Sequence, residues 1–374
     1  MKTVALDAMG GDDAPRVEIE GALAAAGSGQ VRVVLVGDQA RLEPEIQRLG
    51  GMAGLPLEIR HCSQVIAMQD HPSSAVRRKT DSSMRVAHDL VRDGAADAVV
   101  SAGNSGAMMA CGLFVLKRLR GVDRPAIAAT FPTRRGQAVL LDMGANVDCR
   151  PLNLVQFGMM GAAFSRVVHG KQRPVVGVLS NGAEEHKGTE LTRQTHQLLQ
   201  GCRSEHFEYR GYVEGRDIFG GEVDVVVCDG FTGNLVLKVT EGAAETLAGF
   251  VKDSIKASLV SRLFAVGLLP AFRRVKARMD YAEQGGAPLL GVQGVSIVCH
   301  GKSSARAIKN ALIGAGRLAD FDLLTRMQQL LAEQGEVMAA ARGQATTSSV
   351  ASSSPASSPE SSSPDPAPSE AERV

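Results

Sequence analysis

Val223–Gly242 reads VDVVVCDGFTGNLVLKVTEG. Val225, Val226, Val227 and Cys228 form a short unbroken apolar run, rich in β-branched residues, as a strand buried on both faces requires. Its carboxyl end passes into Asp229-Gly230-Phe231-Thr232-Gly233-Asn234, and a helical pattern begins around Leu235. Glycine lets a backbone approach a ligand closely, and the first amides of a helix are donors without intrahelical partners. In open parallel sheets, ligands sit at this carboxyl edge. A plain βα turn with an Asx cap accounts for the stretch equally well when it is taken alone.

The design recurs. Ala98–Ser101 runs into Ala102-Gly103-Asn104-Ser105-Gly106 and then an apolar helix from Ala107 to Leu119. Val139–Leu141 runs into Asp142-Met143-Gly144-Ala145-Asn146, and Thr3–Asp7 runs into Ala8-Met9-Gly10-Gly11-Asp12. Strand and helix patterns alternate along the chain. Strands are predicted at Val31–Val36, Leu57–His61, Val175–Leu179, Pro288–Gly291 and Val295–His300, with a hairpin from Pro125–Phe131 and Gln137–Leu141. Helices are predicted over Arg16–Ala26, Gln39–Leu49, Pro151–Val168, Gly188–Leu199 and onward from Ser304, and Asp81-Ser82-Ser83 should cap one running to Val91. This rhythm predicts a three-layer α/β, Rossmann-like fold with a mainly parallel sheet. One catalytic domain is expected over 1–342, with a helical pair protruding at 252–281. The Ser/Pro/Ala-rich stretch 343–374 lacks periodicity and is expected to be disordered.

Composition narrows the function. The 374 residues carry a formal charge of +1, no Trp and few aromatics, which argues against nucleic-acid partners. Six cysteines lie scattered without a CxxC pair, and the amino terminus enters a strand directly. A reducing cytoplasmic location is therefore expected. No GxGxxG follows the first strand, His300-Gly301-Lys302-Ser303 lacks the first glycine of a P-loop, and Gly103-Asn104-Ser105-Gly106-Ala107 lacks the last glycine of GxSxG. No HExxH or Cys/His ligand spacing occurs, so no metal is expected. Lys187, in Asn181–Gly188, sits just ahead of a helical pattern, where cation and helix dipole would act together on an anion; a solvated loop lysine is the alternative.

Seven segments, in order, resemble the PlsX-type phosphate acyltransferases of bacterial phospholipid synthesis. They are Val4–Pro15 (VALDAMGGDDAP), Ser101–Met109 (SAGNSGAMM), Leu141–Pro151 (LDMGANVDCRP), Glu184–Gly188 (EEHKG), Val213–Ile218 (VEGRDI), Val227–Asn234 (VCDGFTGN) and Gly285–Gly291 (GGAPLLG). The resemblance implies acyl transfer from acyl-acyl carrier protein to inorganic phosphate, without a cofactor. It also implies a fold similar to phosphotransacetylases and isocitrate dehydrogenases, a homodimer, and attachment to the inner membrane surface near the next enzyme, a glycerol-phosphate acyltransferase. A phosphotransacetylase-like enzyme using acyl-coenzyme A and a noncatalytic membrane-surface scaffold are the alternatives.

A thioester is already activated, so holding phosphate against its carbonyl and stabilising the oxyanion can supply most of the catalysis. On this reading Lys187 and Asn234 are the central polar pair, with Asp229 beside them. Asp7, Gly10, Gly11, Asn104, Ser105, Gly106, Asn146, Gly230, Thr232 and Gly233 form the substrate loops. Within 252–281, Leu268 and Leu269 beside Pro270 are expected to form an apolar tip among basic residues, suited to an anionic lipid surface.

Overall fold

The computed structural model describes residues 1–258, 265, 267, 268, 270–272 and 285–339. Leu269, most of the expected helical pair beyond residue 258, and the tail 343–374 lie outside the described residues. The strands are β1 (Lys2–Asp7), β2 (Val31–Gly37), β3 (Leu57–His61), β4 (Ala98–Ser101), β5 (Ala126–Thr133), β6 (Gly136–Leu141), β7 (Val175–Leu179), β8 (Glu208–Val213), β9 (Val225–Val227), β10 (Ala287–Leu290) and β11 (Val295–Val298). They form one sheet in the order β3-β2-β1-β4-β11-β10-β5-β6-β9-β7-β8.

Two parallel blocks make up this sheet. β3-β2-β1-β4-β11 run one way, and β6-β9-β7-β8 run together on the other side. Between them β10 and β5 pair antiparallel with each other and with their outer neighbours, so the second block runs opposite to the first. β10 bridges the blocks by halves: Ala287 and Pro288 pair with β11, while Leu289 and Leu290 pair with the start of β5. The blocks are therefore offset along the strand direction. The offset turns the carboxyl ends of β4 and β11 toward those of β6 and β9, where a cleft opens.

Helices α1 (Arg16–Ala26), α2 (Gln39–Arg48), α3 (Pro72–Arg78), α4 (Ser83–Arg92), α5 (Ser105–Cys111), α6 (Pro151–Val168), α7 (Glu190–Gly201), α8 (Gly230–Lys256), α9 (Ala305–Asp320) and α10 (Leu323–Glu333) cover the faces. Alternation decides which layer each strand residue meets. Val4 and Leu6 pack with Ile19 of α1 and Ile308 of α9, while Ala5 packs with Ala87 of α4 and Val99 of β4. The mainly parallel, helix-covered sheet agrees with the sequence pattern.

Three local boundaries differ from the expectation. α8 begins at Gly230, not near Leu235, because Asp229 accepts the Thr232 N–H at 2.8 Å and nucleates the helix earlier. The helix expected over Ala107–Leu119 starts at Ser105, widens into a π turn at Gly112–Leu116 and ends at Lys117, whose φ is +68°. Asp81 does not cap α4: its carboxylate takes the Ser63 N–H at 2.8 Å and hydroxyl at 2.6 Å, while the Ser82 hydroxyl donates to Lys79 O at 2.7 Å.

Candidate active site

The loop after β6 and the first turn of α8 are built as one unit. Asp142 is fully buried at the end of β6. Its Oδ1 accepts from Ile127 N at 2.9 Å, and its Oδ2 accepts from Asn146 N at 2.6 Å and Asn146 Nδ2 at 2.8 Å. Burial raises its carboxyl above the usual aspartate range, against the lowering effect of these bonds. α8 then lands directly on the loop. Gly230 N–H donates to Asn146 O at 2.7 Å, and a side chain at Gly233 would overlap the carbonyl of Asp142. Gly144, held at φ +101°, lies against Asn234 and leaves room for its side chain.

The opposing wall comes from the loops after β1 and β4. Asp7 is buried and raised by desolvation, even though the Ser101 hydroxyl donates to its Oδ2 at 2.7 Å and Met9 N to its Oδ1 at 3.2 Å. Ser101 Oγ in turn accepts from Gly103 N at 3.0 Å. Gly10 and Gly103 cross so closely that a Cβ on Gly10 would come within 2.8 Å of Gly103 N. The loop is pinned from the β11 side as well, since Asp12 N donates to Gly301 O at 2.9 Å. Behind it lies Glu18, buried, with Oε2 lacking a hydrogen-bond partner among the described residues. Burial, with help from Asp7 and Asp13, pushes its carboxyl up to about 7.

Between these walls lies a cavity of about 530 Å³. Its inner surface is apolar, with Ile127, Phe131, Met143, Phe219, Leu237 and Val298. Its polar lining includes Asp12, Gly103, Ser105, Gly144, Asn234 and His300. Cys299 also lines it, but burial pushes its thiol up to about 12, and burial likewise raises Cys228, below the first turn of α8, well above the usual thiol range. Both remain thiols at neutral pH. Such a chamber can hold an apolar chain inside and a polar reacting group at its opening. Among the described residues, no group of three His, Cys, Asp or Glu side chains is placed to hold a metal ion.

The expected site residues divide by where their side chains go. Ser105 and Asn234 line the cavity. Asn104 turns away: its Oδ1 caps Ala107 N at 3.1 Å, and its Nδ2 donates to Met68 O at 2.9 Å and Asp70 O at 3.1 Å. Asn146 likewise spends its amide on Asp142 and on Pro125 O at 2.8 Å. Asp229 and Thr232 satisfy each other, the Thr232 hydroxyl donating at 2.8 Å. Gly10, Gly11, Gly106, Gly230 and Gly233 serve close packing; Gly106 sits against Pro72 and Gly11 against Glu18. Lys187 lies in the loop after β7, at the same sheet edge as Asp142 and Asp229, but does not line the cavity. That loop closes on itself through Gly188 N to Asn181 Oδ1 at 2.9 Å.

Sequence reading passed over Asp142 and Ser101, the buried groups that shape the two walls, and also Glu18. A polar residue closing an apolar strand, as Ser101 does, or directly following one, as Asp142 does, is the signal that marks the first two. Glu18 carries no such mark, because an acid in the first turn of a helix is ordinary.

Known proteins resemble this chain in sequence and in fold. A family model described as fatty acid synthesis protein matches residues 2–326. The phosphate acyltransferase of Syntrophotalea carbinolica is 56% identical over 309 residues, covering 83% of this chain and 88% of that protein. That of Geotalea uraniireducens is 54% identical over 330 residues, covering 88% and 94%. Among solved structures, the EutD phosphotransacetylase from Staphylococcus aureus aligns with TM-score 0.55 at 17% identity, over 85% of this chain and 94% of that one. A phosphotransacetylase from Streptococcus pyogenes gives 0.56 at 15% identity, with the same coverage. At such identities these two structures speak for the fold alone.

Proposed function

The chain belongs to the phosphate acyltransferase family, and we propose that it moves a fatty acyl group from acyl-acyl carrier protein to inorganic phosphate. The observation that carries this reading is an apolar cavity whose polar lining is assembled from the loops after β1, β4, β6 and β11 and the first turns of α8. The acyl chain lies along Ile127, Phe131 and Leu237, and its thioester carbonyl lies near Ser105, Gly144 and Asn234. A phosphate oxygen attacks the carbonyl carbon, forming a C–O bond and an oxyanion. Collapse of the oxyanion breaks the C–S bond, and the departing sulfur takes the remaining proton of hydrogen phosphate. Acyl phosphate and a free thiol are the products.

Asn234 donates to the oxyanion or to phosphate in this scheme, and Ser105 with the Gly103 backbone holds phosphate. The amino-terminal end of α8 adds a positive potential at the opening. Lys187 acts when its loop bends toward the opening, relieving repulsion between the anions. Asp7 and Asp142 orient the loops from below. Burial raises both carboxyls above the usual aspartate range, and the hydrogen bonds they accept fix the loops in place. With both neighbouring cysteines held as thiols, phosphate serves as the nucleophile.

Assembly and location follow as parts of the same proposal. Phe231, Leu235, Val239, Leu247 and Phe250 are each more than half exposed on α8, on the side away from the cavity-lining Leu237 and Glu241. A second copy covering this face would form a homodimer. No helix among the described residues is long and apolar enough to cross a membrane. Exposed Leu268 and Phe272 support contact with the surface of an anionic bilayer, where a glycerol-phosphate acyltransferase would take the product.

Incubating the protein with acyl-acyl carrier protein and phosphate, then trapping the product with hydroxylamine, should yield a phosphate-dependent hydroxamate. Product from acyl-coenzyme A but not from the carrier-bound donor would favour the coenzyme A enzyme. Absence of product from either would leave the noncatalytic scaffold.

A further inference from the structure

A second hollow, of about 1100 Å³, lies beside the β5–β6 hairpin and α6. Arg134, Arg135, Lys171 and Arg317 line it, and among the described residues no carboxylate does. Arg134 and Arg135 form the exposed tip of the hairpin, and neither guanidinium has a hydrogen-bond or ion-pair partner among the described residues. Lys171 pairs with Asp224 at 2.8 Å from the edge, and Arg317 donates to Gln30 at 3.0 Å. Val168 and Phe321 are exposed in the same hollow, so a cationic rim surrounds an apolar floor. On a chain whose net charge is only +1, four cations around one hollow are a local concentration.

Position gives the hollow its meaning. Thr130 and Pro132 of β5 line both this hollow and the acyl cavity. A partner seated on the cationic rim would stand next to the strand that walls the acyl chamber.

We propose that this groove is the docking surface for the acyl donor's carrier, a small acidic protein that seats on Arg134, Arg135 and Arg317 and passes its thioester arm around β5 into the cavity. The inference rests on the acyl-carrier-dependent reading above. It assigns to a separate surface the recognition of the carrier, which the cavity, fitted to chain and thioester, does not supply. Carboxylates on the carrier would meet the exposed guanidinium groups of the hairpin, and its apolar side chains would meet Val168 and Phe321. Contacts of this kind act mainly on encounter and on salt dependence.

The test uses the full chain and two donors of equal acyl length, acyl-acyl carrier protein and the uncharged acyl-N-acetylcysteamine thioester. Arg134→Glu with Arg135→Glu should lower kcat/KM for the carrier-bound donor about tenfold or more at low salt and flatten its salt dependence. Turnover of the small thioester should stay within about twofold, since exposed positions away from the cavity change little else. Arg134→Ala with Arg135→Ala should give a smaller loss with the same selectivity, and serves if the charge reversal folds poorly. Equal losses with both donors, or no loss with the carrier donor, would overturn the proposal. A change in oligomeric mass in either variant would instead make this face an interface between copies. Failure of the unaltered protein to use the carrier donor, with the small thioester still consumed, would defeat the underlying functional reading and not merely the placement of the surface.

Discussion

Gly230 donates its N–H to the carbonyl oxygen of Asn146 at 2.7 Å, and through that bond the first turn of α8 is locked onto the loop after β6. The contact needs a residue without a side chain, since a Cβ at Gly230 would come within 2.7 Å of the same oxygen. Gly233, one turn on, meets Asp142 in the same way. Asn234 thus inherits its position from two glycines and a buried aspartate.

Gly233→Ala should therefore be costly out of proportion to its size. Forcing a methyl into a closed contact typically costs about 1–3 kcal/mol, and here the neighbour is backbone that cannot rotate away. The melting temperature should fall by several degrees and kcat should drop with it, as Asn234 shifts. A thermal scan matching the unaltered protein would show that the helix and loop do not meet this closely.

Asn234 is exposed at the cavity opening, so Asn234→Ala should fold normally. If its amide stabilises the oxyanion, kcat should fall on the order of 10²–10³-fold. Lys187→Ala tests whether the neighbouring loop closes over the site, and a loss of the same order would place the ammonium on phosphate during turnover. Unchanged kinetics in either folded variant would remove that residue from the chemistry.

Glu18 makes stability depend on pH in a definite direction. Its carboxyl is raised from 4.5 to about 7 in the folded protein, so the folded state holds this proton more tightly than the unfolded chain does. The associated stability is fully present below about pH 4.5 and is lost as pH rises through about 7, a change of roughly 3 kcal/mol at most. Asp7 and Asp142 shift in the same sense, so the comparison must be made against Glu18→Gln. Denaturant midpoints at pH 4.5 and 8 should differ less for Glu18→Gln than for the unaltered protein. Parallel pH dependences would show that Glu18 is not buried as described.

Leu268→Glu, alone or with Leu269→Glu, should abolish sedimentation with anionic vesicles while leaving turnover in solution intact. Leu268 is exposed, which suits an insertion tip. Persistent vesicle binding would remove the tip from the account, and loss of the dimer would assign the segment to subunit packing.

Truncation after Arg342 should leave both the melting temperature and turnover nearly unchanged, because the Ser/Pro-rich segment has too little apolar surface to offset its ordering entropy. A clear drop in either quantity would mean that the tail docks on the body.

Much of the fold was legible because apolar periodicity is local. Arg16–Ala26 and Pro151–Val168 can be read to the residue, and the strand cores of β1, β3, β4 and β7 likewise. Segments whose structure depends on distant partners were not. α3 and β8 have weak patterns of their own: α3 packs beside α5, and β8 is held at the sheet edge by β7. The candidate loops could be found in order, but not the direction of their side chains. Asn104 and Asn146 look as suited to a ligand as Asn234 does, and only the fold shows that the first two are committed to Met68, Asp70, Pro125 and Asp142. The groove at Arg134 and Arg135 was invisible for the same reason, since α6, α9 and the hairpin meet there only after folding.

The place of β11 in the sheet fixes when the molecule can become complete. β11 lies between β4 and β10, with Val298 beside Ser101 and Val295 beside Ala98. The first parallel block thus lacks its inner strand until almost the whole body of the chain has been synthesised. Gly301, which receives the Asp12 N–H, arrives just after it. On the ribosome, the loops after β1 and β4 would wait through the whole second block before gaining their last neighbours. Contacts this distant in sequence are slow to form, because chain closure must precede the pairing that rewards it. The centre therefore matures last, and a chain that stops before β11 carries most of the expected polar residues without the wall that would let them act.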